Sequence, residues 1–177
     1  MGCRCSRKGG VRYASLTFFR EELLYDVRNA AYAEGEVMPE DAEHSRHTVL
    51  DVGEEGNADR VTRILDMSHR ECVEALYPYT KKGVPKSPPD PLDDKLEETS
   101  VYEINLKLPE EFSLTTVELL EKYAHEYMVD RALEDWLSIA NPPAAAKWKE
   151  KADVLRGRMR SALVSRGRAA RRALKPF

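Results

Sequence analysis

Two of the four histidines lie near aspartates at a spacing that could hold a divalent metal. His44 and His47 would share one side of a helix with Asp41 and Asp51, and imidazole and carboxylate groups are common zinc ligands. Such a set would point to a metal-dependent hydrolase. The surrounding segment is acidic and rich in turn-forming residues, so a solvated loop is the favoured interpretation. The sequence therefore predicts no metal and no other cofactor.

Motifs of known enzymes are missing from the sequence. It contains no glycine-rich phosphate loop, no G-x-S-x-G nucleophile motif and no H-E-x-x-H zinc helix. His69 and His125 lie beside charged residues, as surface or interface histidines do. Cys72 lies on an apolar stripe, where cysteine usually acts as a small hydrophobic residue. We therefore expect that this protein is not an enzyme.

The first six residues, MGCRCS, match the pattern for N-myristoylation. Gly2 would carry the acyl chain, Cys3 and Cys5 could be palmitoylated, and nearby basic residues would favour anionic lipid. A lipid-anchored helical adaptor is therefore one alternative. The match is short and has meaning only in a cell with the transferase, so we instead predict a flexible basic arm over residues 1–14 and no membrane partner.

Charge is distributed unevenly along the chain. The 177 residues include 28 Lys or Arg and 31 Asp or Glu, for a net charge of -3. Residues 147–177 hold eleven bases and two acids, a net of +9, so residues 1–146 carry a net of −12. Asymmetry of this kind indicates contact with a polyanion, or pairing between opposite faces of neighbouring copies.

The basic C-terminal residues form the predicted contact site. The planar fork of arginine suits phosphate and carboxylate partners, and no aromatic residue separates the arginines to stack on bases. On these grounds two partners stay open, the DNA backbone without sequence preference and an acidic protein surface. The residues are Arg156, Arg158, Arg160, Arg166, Arg168, Arg171, Arg172, Lys175 and Phe177.

The spacing of apolar residues predicts a mainly α protein, a helical bundle with a small β insertion. One helix is expected to begin near Thr17 and stop at Gly35, and a second to run from Asp59 to about Tyr77. A proline-rich loop or linker follows over residues 80–100. A single helical domain would cover residues 15–177.

The later part of the chain predicts a strand and a long helical hairpin. Tyr102, Ile104, Leu106 and Leu108 alternate with polar residues, which is typical of a half-buried strand over 101–108. A lone strand needs a partner, either the β-favouring patch at 48–52 or another chain. Residues 113–167 predict an antiparallel helical hairpin, and residues 168–177 a basic tail.

Together these features resemble the head–tail connector (adaptor) proteins of tailed bacteriophages and prophages, in particular small prophage proteins of gut Bacteroidetes. The resemblance spans roughly residues 16–177, and its most specific parts are LKLPEEF and DWLSIANPPAAAKW. It implies an all-helical core with a small β insertion and no catalytic residues.

The resemblance also implies a function. Adaptors of this type are virion proteins of the neck, between capsid and tail, and are found in the bacterial host cytoplasm during assembly. They form a homo-oligomeric ring, commonly twelvefold, between the portal protein and a tail-side stopper or completion protein. Carried over, this assigns portal docking to residues 152–177 and subunit contacts to the strand at 101–108, with Tyr102, Ile104, Leu106 and Leu108. The alternative is a non-specific DNA-binding helical protein that uses its basic tail.

Overall fold

A computed structural model describes residues 4–8, 11–39, 43–80 and 99–166. The fold of these residues is mainly α with a small antiparallel sheet, as the sequence predicts. In chain order the elements are β1 (Arg4–Lys8), β2 (Val11–Phe19), α1 (Arg20–Val37), α2 (Glu43–Leu50), a short 3₁₀ helix (Asp51–Gly53), α3 (Glu55–Ala75), β3 (Val101–Pro109), α4 (Leu114–Ala140) and α5 (Pro142–Arg166).

The three strands form one sheet in the order β1-β2-β3. β2 pairs with β3 along its whole length, from Val11 opposite Pro109 to Phe19 opposite Val101. Because side chains alternate between the two faces of a strand, this register places the buried residues of β2 opposite those of β3. One face of the sheet therefore closes the core, and the other faces outward.

The prediction of a flexible basic arm over residues 1–14 is wrong for each part of it that the structure describes. Residues 4–8 and 11–14 are strand, whereas 1–3 and 9–10 lie outside the described residues. Arg12 is buried, and its Nη1 donates a 2.6 Å hydrogen bond to the carbonyl oxygen of Phe112. A basic residue that the sequence assigns to a mobile arm thus joins the sheet to the turn before α4.

The first helix begins later than predicted, because the chain stays a strand through Phe19. Alternate side chains of residues 14–18 point into the core, with the period of two that is typical of a strand. The predicted start at Thr17 is therefore wrong. The predicted stop at Gly35 lies within the last turn of the helix, where a Cβ atom would come 3.0 Å from Cδ2 of Leu50. Gly35 therefore permits the close approach of α2.

The strand predicted over residues 101–108 is confirmed as β3, but the partner expected within the chain is wrong. It pairs with residues 11–19, whereas residues 48–52 end α2 and enter the 3₁₀ helix. Its four apolar side chains are buried in the core of their own chain, so the expectation that they contact a neighbouring subunit is wrong. These side chains are Tyr102, Ile104, Leu106 and Leu108, each 1–2% exposed.

The two ends of the predicted proline-rich loop are anchored to the fold. The hydroxyl of Thr80 donates a 2.8 Å hydrogen bond to the carbonyl oxygen of Val73, and the backbone N–H of Arg20 donates to the carbonyl oxygen of Ser100 at 3.1 Å. Residues 81–98 lie outside the described residues. The prediction of an extended loop at these positions therefore stays a prediction.

The predicted helical hairpin is confirmed as α4 and α5. The side-chain oxygen of Asn141 accepts a 3.3 Å hydrogen bond from the backbone N–H of Ala144, which caps the start of α5. α4 is the central helix of the fold, because it contacts α1, α2, α3 and β2 as well as α5. The core therefore surrounds α4, and α5 packs against it from outside.

Candidate interaction surface

Three of the nine residues predicted to contact the portal or DNA have described side chains, and all three lie in the C-terminal half of α5. Arg158 and Arg160 are exposed, whereas Arg156 is half-buried and its Nε has no hydrogen-bond partner. The other six side chains lie outside the described residues, although Arg166 itself ends α5. They are Arg166, Arg168, Arg171, Arg172, Lys175 and Phe177.

The described arginines do not form a single patch. Residues four apart share one side of a helix, so Arg156 and Arg160 are neighbours, while Arg158 lies on a different side. Cations are also favoured near the C-terminal end of a helix by the helix dipole. The end of α5 therefore presents positive charge over a wide arc.

A groove lies beside Arg160, where α5 passes the C-terminal end of α3. Its volume is about 770 Å³, and two of its apolar side chains, Tyr77 and Val164, are largely exposed. Exposed apolar surface beside a cation is typical of protein contact sites. The full lining is Glu74, Ala75, Tyr77, Pro78, Tyr79, Arg160, Leu163 and Val164.

A second pocket, which we call the acidic pocket, lies between α1, α4 and the N-terminal half of α5. Its volume is about 400 Å³. Three of its side chains are carboxylates, and no basic side chain lines it among the described residues. The lining consists of Asp26, Asn29, Ala30, Glu126, Val129, Asp130 and Trp148.

Asp130 is the most unusual residue of the acidic pocket. It is only 4% exposed, and it makes no hydrogen bond or ion pair with any described residue. Burial raises the pKa of its carboxyl to about 7, because the charged form is poorly solvated; the charge of Lys151 opposes this rise, and that of Glu126 adds to it. A buried carboxylate without a hydrogen-bond partner is costly, and carboxyls with such a raised pKa cluster at functional sites.

Trp148 forms the wall of the acidic pocket that α5 contributes. Its indole N–H donates a 3.1 Å hydrogen bond to Oε1 of Glu34 on α1, which fixes the orientation of the ring. Nζ of Lys151 lies 3.5 Å from the ring centroid, a cation–π contact. The ring is therefore held in place and already has a cation on one face.

His125 is buried, which corrects the expectation of a surface histidine. Its Nε2 lies 2.7 Å from Oδ2 of Asp26, and its Nδ1 is buried without a hydrogen-bond partner. This pair joins α4 to α1 at the edge of the acidic pocket. His69 is half-buried, and burial lowers its pKa, although the carbonyl oxygen of Glu103, 3.2 Å from its Nε2, opposes this.

A partly buried polar network lies between α3 and α4. The hydroxyl of Tyr127 donates a 2.5 Å hydrogen bond to Oε2 of Glu71, and Nε of Arg131 donates to the same oxygen at 3.2 Å. Arg131 also pairs with Glu134. Burial and the hydrogen bond to Glu71 raise the pKa of the Tyr127 hydroxyl, which therefore stays protonated and continues to donate.

The histidine–aspartate set considered as a metal site is not assembled in the described part of the chain. His44 and His47 are exposed on α2, Asp51 lies in the 3₁₀ helix, and Asp41 is outside the described residues. Nε2 of His47 instead lies 3.9 Å from Oε1 of Glu43. Over residues 4–8, 11–39, 43–80 and 99–166, no group of three or more His, Cys, Asp or Glu side chains could hold a metal ion.

The lipid-anchor pattern at the start of the chain can be placed only in part. Cys5 lies in β1, whereas Gly2 and Cys3 are outside the described residues. Of the helices that the structure describes, none has both the length and the apolar character needed to cross a bilayer.

Comparison with known proteins adds no assignment. No protein-family model, curated protein or solved structure matches this chain. Function is therefore inferred from the end of α5, the groove beside it and the acidic pocket. Sequence reasoning identified the first of these three features. It missed the acidic pocket, for which the available signal was an aspartate at position 130 between the apolar pairs 128–129 and 132–133.

Proposed function

We propose that this protein is a structural component of a phage neck, where it forms a homo-oligomeric adaptor ring that joins the portal to the tail-side connector. The proposal rests on the resemblance of residues 16–177 to adaptor proteins and on the charge division between the two parts of the chain. The observation that carries it is the exposure of Arg160 beside an apolar groove at the end of α5.

The portal is assigned to this end of α5 for a physical reason. An exposed arginine next to aromatic and aliphatic side chains can form a charge-assisted hydrogen bond at the rim while the apolar residues exclude water. Tyr77 and Val164 supply such apolar surface beside Arg160. We therefore expect the portal to present an acidic surface to the end of α5.

Ring formation is supported by the distribution of charge. In a ring, each copy presents one surface to a different surface of its neighbour. A body with a net charge of −12 and a C-terminal segment with +9 would favour such head-to-tail contact and disfavour contact between like surfaces. The apolar side chains of β3 are unavailable for it, because the core of their own chain covers them.

Portal binding by the purified chain tests the proposal. The variant Arg160→Ala should weaken binding to the portal about tenfold or more, because this cation lies at the proposed contact. Arg63→Ala, which removes an exposed arginine of α3, is the matched control and should bind like the unaltered chain. Equal binding by the two variants, or absence of the chain from purified particles that retain the other neck proteins, would refute the proposal.

Non-specific DNA binding is the second candidate function, favoured by the two exposed arginines Arg158 and Arg160. The two functions respond differently to salt. DNA binding should weaken steeply between about 50 and 200 mM salt, because it releases counterions from the phosphates. Docking on the portal should instead proceed in the absence of DNA, so a gel-shift titration beside the portal assay separates the two.

A further inference from the structure

We propose that the acidic pocket binds a guanidinium group from the basic C-terminal segment, residues 167–177, of a second copy of this chain. The choice of occupant rests on the proposed ring function, whereas the preference of the pocket for an organic cation rests on its own side chains. These are carboxylates on α1 and α4 and an indole ring on α5.

The carboxylates of the pocket are arranged to receive a donor. Asp130 is almost fully buried, lines the pocket, and has no hydrogen bond or ion pair to a described residue. Glu126 adds a second acceptor group, and Asp26 adds the carboxylate oxygen that does not contact His125. A guanidinium carries five N–H donors in a planar fork and can satisfy more than one carboxylate at once. A metal ion is a poorer fit, because no suitable group of ligands exists among the described residues.

The indole of Trp148 adds a second means of recognition. Arginine stacks on aromatic faces, and tryptophan is the strongest of the aromatic partners for a cation. Lys151 lies over one face of this ring, so a guanidinium would stack on the other face. The hydrogen bond to Glu34 holds the ring in place before a ligand arrives, which reduces the entropy that binding would otherwise cost.

The C-terminal segment supplies the complementary charge. Residues 167–177 contain Arg168, Arg171, Arg172 and Lys175 and no acidic residue. Within one chain, α5 runs from Trp148 at the pocket to its end at Arg166, about 27 Å away at a rise of 1.5 Å per residue. α5 therefore ends pointing away from its own pocket, so the segment of the same chain would have to reverse its direction and extend almost fully to reach it.

Binding should depend on pH, because the charge of Asp130 does. The charged groups around it are Glu126 on α4, Asp26 on α1 and Lys151 on α5. With a pKa of about 7, the Asp130 carboxyl is neutral at lower pH and ionised at higher pH. The pocket should therefore bind a guanidinium more tightly at about pH 8 than at about pH 6.

A fluorescent peptide of residues 167–177, titrated onto the full-length chain and followed by anisotropy, tests the proposal. We expect Asp130→Asn to weaken binding of this peptide about tenfold at about pH 8. Asp153→Asn, which neutralises an exposed carboxylate on α5, is the matched control and should leave binding unchanged. Binding to the unaltered chain should also fall from about pH 8 to about pH 6, and Asp130→Asn should remove this pH dependence.

Three results would overturn the inference: no binding of the peptide, equal binding by Asp130→Asn and Asp153→Asn, and, when Arg171 and Arg172 of the full chain are both changed to Ala, a gain in peptide affinity that is the same at every chain concentration. The last result would mean that the segment occupies the pocket of its own chain. Portal binding by Asp130→Asn distinguishes the two proposals, because the acidic pocket is not part of the proposed portal contact. If Asp130→Asn changes neither portal binding nor peptide binding, the inference about the acidic pocket is refuted and the proposed function is not.

Discussion

α4 and α5 are helices of similar length in one hairpin, yet they are used differently. Fourteen of the 27 residues of α4 are buried, whereas α5 has five buried residues among its described side chains. Three of these five are alanines, which let the outer helix approach the core closely without filling much of it. α4 therefore organises the fold, while most of the surface of α5 stays exposed to solvent.

The largest expected effect comes from a truncation inside α4. Leu133→Ala should lower the free energy of unfolding by about 3 kcal/mol, because it leaves a cavity where a fully buried side chain was. The matched change on the outer helix, Val164→Ala, should cost less than about 0.5 kcal/mol, since that side chain is largely exposed. Urea unfolding followed by circular dichroism measures both, and similar losses would contradict the division between the two helices.

Asp130→Asn is expected to raise stability in a manner that depends on pH. The folded-state pKa of about 7 lies above the ordinary value of 3.8, so the folded protein binds this proton more tightly than the unfolded chain does. Stability of the unaltered chain should therefore fall as pH rises from about 4 to about 7 and lose nothing further from this group above that range.

At about pH 8, Asp130→Asn should be more stable than the unaltered chain by about 2 kcal/mol. The rise of about three pKa units in the folded state sets an upper limit of about 4 kcal/mol on this difference. The difference should vanish near pH 4. Urea unfolding of both proteins across this range is the measurement. A constant difference at all pH values would show that Asp130 does not titrate as described.

The smallest expected effect concerns the polar network between α3 and α4. Tyr127→Phe should lower the free energy of unfolding by about 1 kcal/mol, because Glu71 loses one hydrogen bond but keeps Arg131. Tyr25→Phe, at an exposed position on α1, should change it by less than about 0.5 kcal/mol. Thermal unfolding with both variants would detect the difference, and an equal effect would indicate that the network does not stabilise the interface.

The helical part of the fold could be predicted from the sequence, because its signals are local. Apolar residues at helical spacing identified the second predicted helix and both arms of the hairpin, and Asn141 with two prolines marked the turn between them. Period two likewise identified β3 from its own residues. Each of these elements carries its pattern within one continuous segment.

The other strands were missed because their pattern overlaps with a competing one. Residues 14–18 alternate, but Phe19 and Leu23 also fit a helical spacing, and the charges and glycines before Val11 suggested a mobile arm. The choice between strand and helix was made by β3, more than 80 residues away, which pairs with this segment. Propensity at a single site is a weak guide when such a partner is available.

The sequence by itself determined the period of each long helix, the alternation of β3, and the separation of a basic C-terminal segment from an acidic body. Tertiary structure alone decided that β2 pairs with β3, that Arg12 is buried, and that Asp26, Asp130 and Trp148 meet in one pocket. The physical reason is that local periodicity fixes which face of an element is apolar. Which groups share a cavity depends on the packing of elements distant in the chain.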